Sequence, residues 1–301
     1  MKTIKKNRVR EPVGDRIFTA VQMVTLIFAL AVTAFPLIFV LSASVSDPTA
    51  IYRGQVWLWP VGLNFEGYRR VLMDPEVLSG YWNAIVFTFW FVILTLFATM
   101  PCAYALSRKD FVGRKILMGF FVLTMFLSGG LIPFVLVVRG LGLMNSMWAV
   151  ILPGIVNAFN IIIARTFFQA TIPDELLEAA QIDGCSNTRF FLSVVLPLAK
   201  PILAVIGLFA AVQMWNQWFN SMLFIDDRAR LPLQNILRDI LIMADVNTSM
   251  VRDMAAIAEM QRVSEIIRYA LIVVATVPMM ILYPFVQKHF VKGVMIGSIK
   301  G

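Results

Sequence analysis

Six stretches of this chain are apolar, at least 18 residues long, and free of Asp, Glu, Lys and Arg: Ile17–Leu41, Trp82–Leu106, Ile116–Val138, Met147–Ala164, Pro201–Phe224 and Tyr269–Val286. A helix needs about 20 such residues to cross the hydrocarbon core of a bilayer. The fourth stretch extends naturally to Phe168. Of the 301 residues, 59% are hydrophobic and 15% charged. Soluble domains average roughly 45–50% and 25%, so the natural solvent of this chain is lipid. The first stretch follows a basic segment, but its 25 residues exceed the roughly 7–15 of a signal-peptide core. It reads as an uncleaved span. The expected fold is an all-α polytopic membrane bundle of six spans, about 17–41, 82–106, 116–138, 147–168, 201–224 and 269–286. Residues 1–16 and 287–301 form tails.

Catalysis has little to work with. Cys102 and Cys185 make no disulfide framework, and His289 is the single histidine. This excludes a His-based triad and a two-His metal site. No G-x-x-x-x-G-K-[ST], G-x-G-x-x-G or G-x-S-x-G occurs, so no catalytic residue is expected. The net charge of +8 sits at the ends of apolar runs, without the basic, aromatic-interleaved face of a nucleic-acid binder.

Loop charge sets orientation, because Lys and Arg collect on the cytoplasmic side. Segments 1–16, 107–115, 165–200 and 287–301 carry sixteen basic residues; segments 42–81, 139–146 and 225–268 carry ten. Both termini are therefore expected in the cytoplasm, and 225–268 outside. Trp57 and Trp59 suit an interfacial aromatic belt.

Ser128-Gly129-Gly130 with Pro133 should break the third span, and Pro153-Gly154 the fourth. Such breaks persist in membranes only where protein or a watery cavity satisfies the freed backbone. They fit a translocation path or a packing kink.

Segment 171–200 carries the most information. Thr171, Pro173 and Asp174 read as a helix start. Gly184 can adopt positive φ and end that helix. Phe190, Phe191, Val194, Val195 and Leu198 then form one face of a second helix. Two short helices joined by a glycine turn would thus protrude between spans four and five, with small Ala179 and Ala180 beside Glu178.

Glu178-Ala179-Ala180, three residues, Gly184, nine residues, then Val194-Val195-Leu196-Pro197 resembles the E-A-A signature of importer-type ATP-binding-cassette permeases. Val194 stands where the signature has Ile, and Cys185 where Ala or Gly is usual. Ser128-Gly129-Gly130-Leu131-Ile132-Pro133, Trp215-Asn216 and Lys292–Gly301 resemble carbohydrate-uptake permeases of the maltose-transporter type, and within those the subunits for oligosaccharides released from polysaccharides. The resemblance implies the cell membrane of a prokaryote, with a second permease, two ATPase subunits and an extracytoplasmic binding protein as partners, the last expected to meet 225–268. It implies ATP and Mg²⁺ on the ATPases and no cofactor on this chain. It implies coupling through Glu178, Ala179, Ala180, Gly184, Leu196 and Pro197, with Glu178 meeting a basic residue of the ATPase.

Gln213, Asn216, Gln217 and Asn220 fall at i, i+3, i+4 and i+7, one stripe of a continuous helix. Neutral amides beside Trp215 and Trp218 suit a hydroxyl-rich solute, or helix–helix hydrogen bonding. Asn157 and Asn160 are a weaker pair of the same kind. A proton-coupled carrier would place ionisable groups within spans, and a phosphate carrier basic ones; the six stretches hold neither.

Overall fold

The computed structural model describes residues 12–242, the backbone of 243–250, and residues 262, 264 and 267–284. Residues 1–11, His289 and the Lys292–Gly301 end lie outside the described residues, as do the last two positions of the expected sixth span. The elements in order are α1 (Val13–Ser44), α2 (Pro48–Tyr52), α3 (Glu66–Met73), α4 (Pro75–Ser107), α5 (Arg114–Phe126), α6 (Leu131–Gly140), α7 (Met147–Ile151), a 3₁₀ turn (Leu152–Gly154), α8 (Ala158–Thr171), α9 (Asp174–Ile182), α10 (Asn187–Phe190), a π-turn (Phe191–Val195), α11 (Leu196–Leu198), α12 (Lys200–Trp215), α13 (Phe219–Phe224), a 3₁₀ turn (Arg228–Arg230), α14 (Leu233–Met250), and α15 (Ile267–Pro284). Among the described residues, α1, α4 and α15 are individually long and apolar enough to cross a membrane. The number rises to six when each of three bent helix pairs forms one span.

The described residues pack as two units, one drawn from residues 12–70 and 248–273 and the other from 71–247 and 274–284. In the first, α1 exposes most of its apolar side chains from Ile17 to Leu41, half-buries Phe39 and Val40, and buries only its end, Ser42, Ala43 and Ser44. Ala43, Ala50 and Val56 form a small core with Phe39, Ile51 and Tyr269. The Ser42 hydroxyl donates to the Leu58 carbonyl at 2.7 Å and Ser46 to the Ser42 carbonyl at 2.6 Å. Trp57 and Trp59 are exposed, and Trp57 donates its indole N–H to the Gly54 carbonyl.

In the second unit α4 packs along both α8 and α12. One core joins Met100, Ala103 and Leu106 of α4 to Ile161, Ala164 and Phe168 of α8, Phe190 and Val195, and Ile202 and Ile206 of α12. A second joins Phe87 and Phe91 to Val150, Ile151, Ala210 and Met214. Loop contacts sort the ends. Arg165 donates to the Leu106 carbonyl, and Asp174 pairs with Lys109 and Arg108, which joins 107–115 to 165–200. Arg230 donates to the Asn145 carbonyl and Arg228 pairs with Glu76, which joins the start of α4, 139–146 and 225–230 at the other end. There Arg228 holds the Glu76 carboxyl below its ordinary pKa by hydrogen bonding. These groupings match the two loop sets distinguished by charge. The start of 225–268 is no loose loop. Leu233, Ile236 and Leu237 are buried, and α14 lies so close to α4 that a Cβ at Gly80 would come 3.2 Å from the Leu233 Cα.

Two of the expected spans are interrupted. The break expected at Ser128-Gly129-Gly130 is present: helices α5 and α6 are bent by 116°, so 116–138 is not one straight rod. Gly130, at φ +79°, makes the turn. The fifth stretch, expected to run through to Phe224, stops at Trp215 and restarts at Phe219.

Pro278 shows how a break is satisfied. Proline lacks the N–H that would reach the carbonyl four residues back, here Val274. The Tyr81 hydroxyl donates to that carbonyl at 2.8 Å, and the Trp215 indole N–H donates to Ala275 at 3.0 Å. The two rings meet edge to face with centroids 5.6 Å apart. Tyr81→Phe should therefore destabilise the purified protein by about 0.6–1.7 kcal/mol. In a Pro278→Ala background the cost should shrink, because residue 278 then supplies its own N–H. Thermal unfolding of the four proteins of this cycle checks it; an equal cost in both backgrounds contradicts the assignment.

Candidate functional site

Two sites merit description, the hairpin after α8 and a cavity among the helix breaks. The hairpin begins at α9. Pro173 is the N-cap and no side chain caps the helix; Thr171 is the last residue of α8, so the expected Thr171–Asp174 capping pair does not form. Asp174 instead turns to the α4–α5 link, 2.8 Å from Lys109 Nζ and 3.5 Å from Arg108 Nη1. The hydrogen bond from Lys109 holds its carboxyl below the ordinary value.

Gly184 has φ +73°. Its N–H reaches the Gln181 carbonyl at 3.0 Å, and the Cys185 N–H reaches Ala180 at 2.9 Å. This is the two-bond closure of a helix by a left-handed residue. Ser186 then caps the second helix by accepting from the Arg189 N–H.

The second helix departs from the expected pattern. Phe190 and Val195 are fully buried, but Leu198 is 45% exposed while Ala199 is buried. The π-turn at Phe191–Val195 adds one residue to the winding. The Ser193 hydroxyl within it donates to the Arg189 carbonyl of α10. Leu198 is thereby rotated off the buried face and Ala199 takes its place.

The base of the hairpin is fixed and its tip is free. Leu177, Phe190 and Val195 sit in the core with Phe168 and Leu106, and Ala180, Cys185 and Leu196 pack against it. Glu178, Ala179, Gly184 and Pro197 are exposed. The helix then turns by 80° into α12.

The second site is a cavity of about 150 Å³ lined by Phe91, Phe134, Val150, Pro153, Gly154, Gln213, Met214, Gln217 and Asn220. Breaks meet around it. At Pro153-Gly154 the fourth stretch ends its first helix and bends by 47°. Gly154 has to be small: a Cβ there would lie 3.0 Å from the Phe91 ring and 3.5 Å from Gln213 Nε2.

The amide stripe assumed a continuous helix, and the break after Trp215 removes that premise. Asn216 bonds back to the Val212 carbonyl at 2.8 Å and stays exposed, apart from the cavity lining. The Gln217 side-chain oxygen accepts from the Phe219 and Asn220 N–H groups, capping α13. Gln213, Gln217 and Asn220 nevertheless converge on the cavity. Asn157 caps α8 through the Phe159 and Asn160 N–H groups, and Asn160 is buried; neither lines the cavity. Trp215, expected beside a solute, is buried and bonded to Ala275, whereas Trp218 lies under the Arg238 guanidinium at 4.9 Å. Phe91 and Phe134 went unmarked in the sequence because a phenylalanine in an apolar run carries no distinguishing signal.

Comparison with known proteins places this geometry. The polygalacturonan/rhamnogalacturonan transport system permease protein YtcP of Bacillus subtilis (strain 168) is 40% identical, over 92% of this chain and 95% of that one. Protein LplC of the same organism is 37% identical, over 96% of each. A crystal structure of a bacterial ABC transporter involved in the import of the acidic polysaccharide alginate contains a chain with a TM-score of 0.82 and 36% identity, covering 94% of this chain and 99% of that one. The family model described as binding-protein-dependent transport system inner membrane component matches residues 77–296. With its helical membrane bundle and E-A-A hairpin, the chain belongs to that family of transport permeases.

Proposed function

We propose that this chain forms half of the translocation pathway of an ATP-driven importer for an oligosaccharide. A second, similar permease completes the pore. Two ATPase subunits receive one hairpin from each permease, and an extracytoplasmic protein delivers the solute. The observation that carries the reading is the hairpin: Glu178 and Ala179 stand exposed on a base whose Phe190 and Val195 are fully buried. A protrusion of this kind transmits force, because its root cannot shift without moving the core.

Orientation follows. The hairpin must reach cytoplasmic ATPases, so the end of the bundle holding 107–115 and 165–200 faces the cytoplasm, in agreement with the basic loops. Segment 225–268 then faces the binding protein. The sugar class rests on the relatives named above and on the chemistry of the cavity. Gln213, Gln217 and Asn220 each donate and accept hydrogen bonds, as sugar hydroxyls require.

Three outcomes are expected of the reconstituted importer. Glu178→Lys should weaken ATPase docking about 10- to 100-fold, as loss of a charge-assisted contact implies, while the permease still reaches the membrane. Co-purification of the ATPases measures this; parental recovery and transport contradict the docking role.

Gly184→Val should impair uptake through backbone strain, since nothing lies within 4 Å of a Cβ at that position. Gly184→Asn should be far milder, because Asn tolerates positive φ. Equal loss in both variants would show that space, not φ, is limiting.

Gln213→Leu and Asn220→Leu should each lower solute uptake without loss of assembly, whereas Asn216→Leu should have a smaller effect. Radiolabelled uptake in proteoliposomes checks the ranking. Gln217 is a poor probe, because removing a cap costs about 1 kcal/mol of local stability.

A further inference from the structure

The hairpin meets α4 through a second set of contacts that docking does not require. Asp174, first residue of α9, binds Lys109 Nζ at 2.8 Å and Arg108 Nη1 at 3.5 Å. Arg108 Nε also binds Asp110 at 3.1 Å, and the Arg108 side chain is only 15% exposed. The Arg114 guanidinium donates to the Arg108 carbonyl at 2.8 Å, and Arg165 donates to the Leu106 carbonyl at 3.0 Å. Three guanidiniums and one ammonium thus gather at the C-terminal end of α4, where cations complement the helix dipole. One carboxylate of the hairpin is caught among them.

Apolar contact between hairpin and core is non-directional, whereas a charge-assisted hydrogen bond is directional and ties one atom of α9 to one atom of the α4–α5 link. The ionic cluster fixes one register. Its links to transport lie at its two ends. Glu178 is one turn beyond Asp174 on α9. Phe91 is 17 residues back from Arg108 along α4, about 25 Å at 1.5 Å per residue, and lines the amide cavity.

We propose that Asp174 is a positioning residue for energy coupling: with Lys109 and Arg108 it ties the first turn of the E-A-A helix to the end of α4, so that movement of the hairpin is delivered to the wall of the cavity. The proposal rests on the docking reading of the hairpin and adds the link from dock to passage.

The test uses the complete importer in liposomes, with basal hydrolysis, binding-protein- and solute-stimulated hydrolysis, uptake and ATPase co-purification measured together. Asp174→Lys should cut stimulated hydrolysis and uptake about fivefold, the factor matching the upper end for an exposed ion pair. Basal hydrolysis and ATPase recovery should stay parental. Lys109→Asp should act in the same direction, and the double exchange Asp174→Lys with Lys109→Asp should restore more than half of the loss. A merely structural role would not produce that rescue. If Asp174→Lys fails to assemble, Asp174→Asn takes its place; it should assemble and show reduced stimulation.

Parental stimulation in Asp174→Lys, or in its substitute Asp174→Asn, overturns the proposal, as does a double exchange no better than the single variants. Loss of ATPase co-purification in Asp174→Lys would also overturn it, by making Asp174 a docking residue. Glu178→Lys separates the two ideas. If it keeps the ATPases while the charge exchange still rescues, the docking reading falls and the tether stands.

Discussion

A peptide group freed inside a membrane has no water to turn to, so each helix break must bring its own partner. This constraint organises the larger unit. At Pro278 the partner is the Tyr81 hydroxyl, with Trp215 on the next carbonyl. At the start of α8 it is Asn157, and at the start of α13 it is Gln217. Polar side chains in the apolar stretches therefore have structural duties before any solute arrives. Gln217 combines both positions: its oxygen caps α13, and its side chain borders the cavity.

The breaks also explain where the cavity lies. An unbroken helix presents side chains alone, whereas an interrupted one lets neighbouring residues approach at a glycine or turn. Gly154 is the clearest case, since any Cβ would press on the Phe91 ring. At the opposite extreme, the hairpin end is held by unbroken apolar packing of α4, α8 and α12 around Phe168 and Phe190. The helix breaks thus gather around the cavity, while the hairpin end is closed by packed apolar side chains.

Much of this was legible in the sequence for physical reasons. Charge-free runs of membrane length have one stable solution, the helix. Gly184 at a fixed distance from Glu178 marks a left-handed turn, and it has φ +73°. Pro153-Gly154 and the Ser-Gly-Gly run break helices wherever they stand. What was illegible depends on three dimensions. A 3.6-residue period cannot reveal that α12 stops at Trp215, because Asn216 and Gln217 fit a helix as well as a cap. The π-turn that displaces Leu198 leaves no residue signature. The pairing of Asp174 with Lys109 joins segments 65 residues apart, and only the fold brings them together.

The central claim is that the amide-lined cavity among the breaks is part of the solute's passage. Its most direct test is solute protection of one thiol. In the assembled importer with Cys102 and Cys185 replaced by Ser, Asn220→Cys is treated with a membrane-impermeant alkylating reagent, with and without saturating oligosaccharide and binding protein under turnover. The account expects alkylation that the transported solute slows several-fold and a non-transported sugar does not. A thiol that is unreactive throughout, or reacts at one rate regardless of solute, would contradict it.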